Sequence, residues 1–333
     1  MKILVTGGAG YIGGTVASLL AEKHHKVFIY DNLSHSRRDL LPAGAELIEG
    51  ELADRDKLEG IFGSARQAGE PFDGVLHFAA LIEAGESMKK PEVYFRNNTA
   101  STLSLLEAML AAGPRRLVFS STAAVYGEPE SVPIREDARL EPTNAYGHSK
   151  LLVEHMLAWF NRVHGLRYAS LRYFNVAGAA EGPKGVVRGE AHEPETHLIP
   201  LVLDVALGRR KSIKIYGDDY PTADGTCVRD YIHVSDLADA HLLALEALEK
   251  QERLILNLGN GQGFSVRELI EAARRVTGHP IPAEVEPRRA GDPAVLVASS
   301  EKAIRELGWK PRYTDLDSIL RTAWEWHQKR YSL

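Results

Sequence analysis

Lys2-Ile3-Leu4-Val5-Thr6-Gly7-Gly8-Ala9-Gly10-Tyr11-Ile12-Gly13 sets an apolar strand directly against a glycine loop and then a helical pattern. Strand, Gly-x-Gly-x-x-Gly and helix in that order predict a dinucleotide-binding turn. Gly7 and Gly8 permit the tight turn. Gly10 lets the backbone approach a pyrophosphate at the helix N-terminus, where free N–H groups and the helix dipole favour negative charge. Gly13 lets the helix pack close to the sheet. Asp31 ends the next candidate strand, near the ~20-residue offset at which a carboxylate accepts hydrogen bonds from the adenosine ribose. Its charge would repel a 2′-phosphate, so the expected cofactor is NAD rather than NADP. Arg37 and Arg38 oppose that choice and are read as a solvated loop.

Working outward, short apolar runs alternate with helical patterns, the mark of a parallel sheet wrapped by helices. Strands are expected at 2–6, 26–30, 45–49, 74–78, 116–120 and 167–173, with helices near 12–23, 92–112 and 147–164. Pro91 precedes the second of these helices and Gly113-Pro114 ends it. Gly178, Gly182-Pro183, Gly185, Gly189 and Pro194 predict a loop over 178–195 and a domain boundary. Further helices are expected near 198–207, 236–250, 265–277, 300–307 and 315–330, and strands at 212–216, 229–234 and 254–258. The fold class is α/β: a doubly wound parallel-sheet Rossmann domain over 1–177 and a smaller α/β substrate-binding domain over 178–333. Segments near 229–250 are expected to return to the first domain.

Two helices carry more apolar residues than one buried face needs. Leu151, Leu152, Val153, Met156, Leu157, Trp159 and Phe160 cover most of helix 147–164, and a helix that apolar is buried on two sides. A homodimer through helices 92–112 and 147–164 is preferred over burial within one chain.

Composition narrows the function classes. Of 333 residues, 44% are hydrophobic, and the net charge is −5. No long basic run occurs, which argues against nucleic acid as a partner. The single cysteine, Cys227, permits no internal disulfide and suits a reducing compartment. No apolar stretch approaches roughly 18 residues and no targeting segment is visible, so no membrane association is expected and the location is read as cytoplasmic. His192 and His197, on either side of a proline-containing loop, and His148 and His155, on one helix face, are read as solvated. No metal is expected.

Tyr146-Gly147-His148-Ser149-Lys150 supplies the chemistry. The i, i+4 spacing puts the phenol and the ammonium on one helix face, where the cation should lower the phenol pKa from its ordinary ~10 toward neutrality. Thr122 follows Phe119-Ser120-Ser121 at the carboxyl end of a parallel strand, where ligands bind in such sheets. Its hydroxyl can relay a proton between a substrate and the phenolate, while Lys150 can hold the nicotinamide ribose.

The glycine loop, Thr122 and Tyr146-x-x-x-Lys150 together resemble the extended short-chain dehydrogenase/reductases. Within them the chain is similar, over nearly its whole length, to the UDP-glucose (UDP-galactose) 4-epimerase family. The narrowing comes from His77-Phe78-Ala79-Ala80, Gly85-Glu86-Ser87, Ser120-Ser121-Thr122-Ala123-Ala124-Val125-Tyr126-Gly127 and Leu171-Arg172-Tyr173-Phe174-Asn175. The stretch from Tyr216-Gly217-Asp218-Asp219-Tyr220 to Arg229-Asp230-Tyr231-Ile232-His233-Val234 is the most specific.

The resemblance implies that Tyr146 takes the proton of the sugar 4-hydroxyl with Thr122 as relay. Hydride would leave C4 for a permanently bound NAD, and the 4-keto sugar would turn and take it back on its other face. It further implies that NAD is held by Gly7, Gly10, Tyr11, Ile12, Gly13, Asp31, Asn32, Ser34, Ser36, Glu51, Leu52, Phe78, Ala79, Ala80, Asn97, Tyr146, Lys150 and Phe174. The UDP-sugar would be held by Thr122, Asn175, His197, Leu198, Tyr216, Arg229, Arg289, Asp292 and Leu296. Arginines suit a pyrophosphate because a guanidinium presents paired donors; Arg288 is left with the solvated surface.

Five positions depart from the family pattern. Glu51 stands for an Asp that contacts adenine, and Ile82 for a Lys near the nicotinamide ribose. Thr122 stands for Ser, and His197 for an Asn that binds the UDP moiety. Leu296 meets a wall residue that is Tyr in members restricted to plain hexoses, which raises activity on UDP-N-acetylhexosamines as well. Among rivals, a 4,6-dehydratase of the same family would need Asp-Glu after the strand-end Thr, where this chain has Ala123 and Ala124. A non-catalytic NAD-binding protein commonly loses the Tyr and Lys that this chain keeps, and a hydrolase reading lacks a Gly-x-Ser-x-Gly.

Overall fold

The computed structural model describes residues 1–36, 38–182, 185–289 and 292–331. Arg37, Pro183 and the Ala290-Gly291 pair used to place Leu296 lie outside the described residues. The chain forms two units. One comprises Met1–Gly127, Leu140–Arg172 and Ala238–Leu256; the other comprises Glu128–Arg139, Tyr173–Leu237 and Asn257–Leu333. This corrects the single boundary at 177–178; a later segment does return to the first unit as expected, over Ala238–Leu256 rather than 229–250. Glu128–Arg139 joins the second unit through contacts that no local pattern announces: Asn257 Nδ2 donates to Ile134 O at 2.9 Å, and Asn257 N donates to Glu136 at 2.8 Å.

The first unit is built on a seven-stranded sheet. Its order is Arg253–Leu258, Arg167–Tyr173, Arg116–Thr122, Gly74–His77, Lys2–Thr6, Lys26–Asp31 and Ala45–Glu49. Lys2–Thr6 pairs in parallel with Lys26–Asp31 on one side and with Gly74–His77 on the other. The chain therefore winds outward in one direction, returns, and winds outward in the other. That reversal opens a crevice at the carboxyl ends of the first and fourth strands, where such sheets bind ligands. Leu4, Phe28, Val75, Leu117 and Tyr168 pack beneath the helices with Leu58, Phe62, Leu105, Met109, Val153 and Leu157. The helix Arg55–Gln67 was not expected, because only Leu58, Phe62 and Ala65 of its 13 residues are buried. Asp54 caps it by accepting from Lys57 N at 3.0 Å.

His77 ties the central strands together. Its Nδ1 lies 2.6 Å from Thr6 Oγ1 and its Nε2 lies 2.8 Å from Thr102 Oγ1. The Thr102 hydroxyl donates to Asn98 O at 2.6 Å, so it accepts from Nε2–H, and Nδ1 accepts from Thr6. The ring is neutral. Burial, and then the charge of Lys150, push its pKa down to about 3 from 6.5. The unfolded chain thus takes up this proton first as pH falls. Stability contributed by the neutral ring is complete above pH 6.5 and is lost as pH falls toward 3. Denaturant titrations across that window should show a shallower loss of stability in His77→Gln than in wild type; equal slopes would contradict it.

In the second unit, the loop expected over 178–195 is corrected. Ala179–Gly182 and Gly185–Gly189 form an antiparallel pair, since glycines that read as turns are equally suited to a bulged, closely packed hairpin. Val228–His233 is the organising strand: Asn175–Ala177 and Val295–Leu296 pair with it in parallel, and Gly263–Ser265 antiparallel. Helices Leu198–Ala206, Val266–Thr277 and Leu316–Tyr331 supply a core of Val202, Leu203, Leu269, Ile270, Ile319 and Leu320. Val266–Thr277 begins with a capping box: Ser265 Oγ accepts from Glu268 N at 3.0 Å and Glu268 Oε2 accepts from Ser265 N at 2.7 Å, an arrangement worth about 1 kcal/mol.

Candidate active site

The glycine loop has the shape its sequence predicts. Gly7 has φ +69°, and a Cβ there would lie 2.6 Å from Ala79 N. A Cβ on Gly13 would lie 2.4 Å from Gly7 O, whereas one on Gly10 would meet only Gly7 O, at 3.4 Å. Gly13 therefore seals the helix Tyr11–Glu22 against the loop, while Gly10 leaves an open side. Among the described residues no side chain caps that helix, and its first turn carries no acidic group. A dinucleotide pyrophosphate fits this opening, because a helix N-terminus favours an anion. Gly13→Ala should weaken NAD retention by more than roughly tenfold. Cofactor released by denaturing the purified variant is the readout, and a wild-type content would count against the fit.

Around the loop, the buried carboxylate of Asp31 accepts from Ala9 N at 3.0 Å, Leu33 N at 2.9 Å and Ser36 Oγ at 3.0 Å. A carboxylate has about four acceptor positions, so one remains for a ribose hydroxyl. Ser34 bonds back to Asn32 Oδ1, and Asn32 Nδ2 reaches both oxygens of Glu51 at 3.1–3.2 Å. The longer arm of Glu51 is thus anchored on Asn32. Leu52 is buried, while Tyr11 is buried and Ile12 half-buried in the helix start. Phe78, half-buried, lies 4.7 Å from the His241 ring, and Ala79 and Ala80 continue the same strand end, half-buried as well.

Asn97 donates to Asn98 Oδ1 at 2.9 Å within a π-helical turn, Phe95–Ala100, that interrupts the helix expected over 92–112. Such turns often sit at functional sites. Asn98, overlooked in the sequence, bonds to Leu81 N, Leu81 O and Ser149 Oγ at 2.8–3.0 Å. The only signal was the pair of adjacent asparagines, Asn97-Asn98, inside a helical pattern.

The strand Arg116–Thr122 delivers Thr122 to its carboxyl end, where Oγ1 accepts from Ala124 N at 3.1 Å. Its own proton is then free to donate toward the Tyr146 phenolic oxygen, whose pKa the Thr122 hydroxyl lowers. Asn144 starts the helix Ala145–His164 by accepting from Gly147 N at 2.8 Å. Ser87 Oγ accepts from Tyr146 N at 3.1 Å, and Ser149 Oγ donates to Tyr146 O at 2.7 Å. Lys150 is buried, donates to Ser120 O at 2.9 Å and lies 5.0 Å from the Phe119 ring centroid.

The ionisation of this pair differs from the sequence expectation. Loss of water raises the Tyr146 pKa to about 12; the Thr122 hydroxyl lowers it and the charge of Glu83 raises it further. Burial alone lowers Lys150 from 10.5 to about 7. Desolvation thus disfavours both charged forms and works against the expected pull of the ammonium on the phenol. Behind the pair, Glu154 and Arg172 form a buried ion pair at 2.6 and 3.0 Å, with Ser121 Oγ on Glu154 at 2.5 Å and Tyr126 OH on Arg172 at 2.9 Å.

All expected NAD contacts except Phe174 belong to the first unit, and all expected UDP-sugar contacts except Thr122 belong to the second. Phe174 is buried and Asn175, beside it, exposed. Asn175 pairs with Tyr231, and Leu296 pairs in register with Arg229. Arg229 is ion-paired with Asp292 and donates to Val228 O at 2.8 Å. The exposed Arg289 guanidinium stacks 4.0 Å from the Tyr216 ring centroid. Arg288 pairs instead with Asp219 at 2.6 Å.

His197 stands at the N-cap position of the helix that begins at Leu198, without a side-chain capping bond. The solvated reading of His192 and His197 is corrected, since their Nδ1 atoms lie 3.1 and 2.7 Å from Oε1 of the buried Glu190. Burial would raise the Glu190 carboxyl pKa, but His197 and then His192 hold it well below its ordinary range.

Residues 3–259 match the model of the NAD dependent epimerase/dehydratase family. A UDP-glucose 4-epimerase of Streptomyces lividans is 57% identical over 98% of this chain and 96% of its own length. A solved UDP-glucose 4-epimerase structure superposes with a TM-score of 0.94 at 50% identity, covering 99% of this chain and 98% of that one. Another, from Stenotrophomonas maltophila with bound NAD and formylated UDP-arabinopyranose, gives a TM-score of 0.94 at 41% identity over 100% and 99% of the two chains. With residues 3–259 matched and relatives covering nearly the whole chain, the chain belongs to the NAD dependent epimerase/dehydratase family.

Proposed function

We propose that the chain is a UDP-glucose 4-epimerase that interconverts UDP-galactose and UDP-glucose on a tightly held NAD. The observation that carries this reading is Tyr146 one helical turn from the buried Lys150, with the Thr122 hydroxyl near enough to lower the phenol pKa, and with Ala123 and Ala124 where dehydration would need an acid and a base. NAD, when bound, would supply the acceptor for the C4 hydrogen, so a 4-keto sugar stands between the two epimers.

Tyr146 takes the 4-hydroxyl proton through Thr122, whose oxygen is held in place by Ala124 N. Lys150 has three N–H donors; one is on Ser120 O, and two remain for ribose hydroxyls. Arg229 and Arg289 bind the pyrophosphate, and Asn175, His197, Leu198, Tyr216 and Asp292 bind the rest of the nucleotide sugar. The test is purified protein incubated with UDP-galactose and no added NAD. UDP-glucose should form; its absence, with NAD shown to be present, rejects the reading. UDP-N-acetylglucosamine in the same assay reads the half-buried Leu296: turnover supports a wall open to N-acetyl groups, and none rejects it.

The assembly proposed is a homodimer. Leu152, Trp159 and Val163 are exposed on one face of Ala145–His164, at 42%, 60% and 63%, and Leu103 is exposed on the neighbouring helix. Contiguous apolar exposure of this kind marks an interaction surface. Trp159→Glu should convert a dimer to a monomer in sedimentation experiments; an unchanged mass would exclude this face. Among the described residues no helix is long and apolar enough to cross a membrane, and the single, unpaired Cys227 supports a reducing, cytoplasmic setting.

A further inference from the structure

We infer that Glu190, His192, Glu195 and His197 bind one divalent transition-metal ion, with zinc the best match to their chemistry. Each offers one ligand atom, and these atoms all lie within 4.8 Å of one another. His197 Nδ1 is 2.7 Å from Glu190 Oε1, and His192 Nδ1 is 3.1 Å from the same oxygen. Ligands on a tetrahedral zinc with bonds of about 2.0–2.2 Å stand about 3.3–3.6 Å apart, so a small outward shift would accommodate the ion.

A second observation points the same way. His192 Nδ1 and Glu195 Oε2 are buried and have no hydrogen-bond partner among the described residues. The His192–Glu190 approach is close but not aligned as a hydrogen bond, which is how two ligands of one ion meet. Buried polar atoms are rarely left unpaired in folded proteins. Two imidazole nitrogens with two carboxylates suit zinc better than magnesium or calcium, which prefer all-oxygen shells.

The backbone around the set is held firmly. Glu190 O accepts from Trp326 Nε1 at 3.0 Å, and a Cβ on Gly189 would strike the Trp326 ring at 2.3 Å. Glu195 Oε1 accepts from Thr196 N and His197 N, each at 2.9 Å, which leaves Oε2 for the metal. Four protein ligands close the shell, so the ion is structural. It would fasten the segment that leads into Leu198–Ala206 and orient the His197 ring through Nδ1.

The test is calorimetric titration of zinc sulfate into tag-free protein that carries its own NAD and has been stripped with EDTA. One zinc per chain should bind, and His192→Ala should weaken it at least about 100-fold, the upper end of what losing even an outer-shell partner costs. Glu195→Gln, which keeps the side-chain shape, should also weaken it, so the inference does not hang on one variant folding. An anomalous difference map from a zinc-soaked crystal should place the ion among the four side chains. Absence of saturable binding, equal affinity in wild type and both variants, or an anomalous peak elsewhere would overturn the site. None of these readouts measures turnover, so they stand or fall separately from the epimerase reading.

Discussion

Tyr146→Phe should keep its NAD and lose epimerase turnover by roughly 10²–10⁴-fold, the range that a positioned acid–base group contributes. Cofactor retention is expected because the glycine loop and Asp31 are fixed by backbone contacts that do not involve the phenol. The loss is expected in kcat, because the phenolic oxygen handles a proton in the reacting state and not merely on binding. Thr122 alone cannot replace it: its Oγ1 already accepts from Ala124 N, and a hydroxyl is a poor base without a phenolate behind it. With burial holding the phenol pKa at about 12, nearby positive charge must bring it down before it can act, so activity should rise with pH. Undiminished turnover in the variant, or loss of NAD with it, would remove Tyr146 from the role of base.

The largest effect on stability should come from Glu154→Ala. Arg172 is 2% exposed and its partner 5%, so removing the carboxylate strands a buried guanidinium and deprives the Ser121 hydroxyl of its acceptor. Breaking such a pair costs about 3–5 kcal/mol, whereas replacing both partners by apolar side chains of similar size can be nearly neutral. Glu154→Leu combined with Arg172→Met should therefore recover much of the loss in urea unfolding. A double variant as unstable as the sum of the single ones would mean that the pair is not coupled. The pair joins the helix carrying Lys150 to the strands ending at Thr122 and Tyr173. The single variant should accordingly also lose activity, through displacement of Thr122.

Several elements were legible because their causes are local. The strands Lys2–Thr6, Ala45–Glu49 and Arg167–Tyr173 lie where alternation and turn residues put them. Helix Ala145–His164 starts one turn's capping residue, Asn144, ahead of the Tyr-x-x-x-Lys spacing. Arg55–Gln67 was missed because three buried residues in a charged stretch give almost no periodic signal, and Ala179–Gly189 because glycine marks turns and tight hairpins alike. Asn98 and Ser87 were missed because each acts through a partner far away in the chain, Ser149 and Tyr146 respectively.

Sequence by itself determined the order strand, glycine loop, helix, the acidic residue at the end of the second strand, and a phenol and an ammonium four residues apart. All of these follow from backbone sterics and helical period over short spans. Tertiary structure alone decided which charges survive. Desolvation, which depends on what other segments cover a side chain, disfavours the charged forms of Tyr146 and Lys150, while contacts formed only in the fold pair Arg172 with Glu154 and bring two histidines to Glu190.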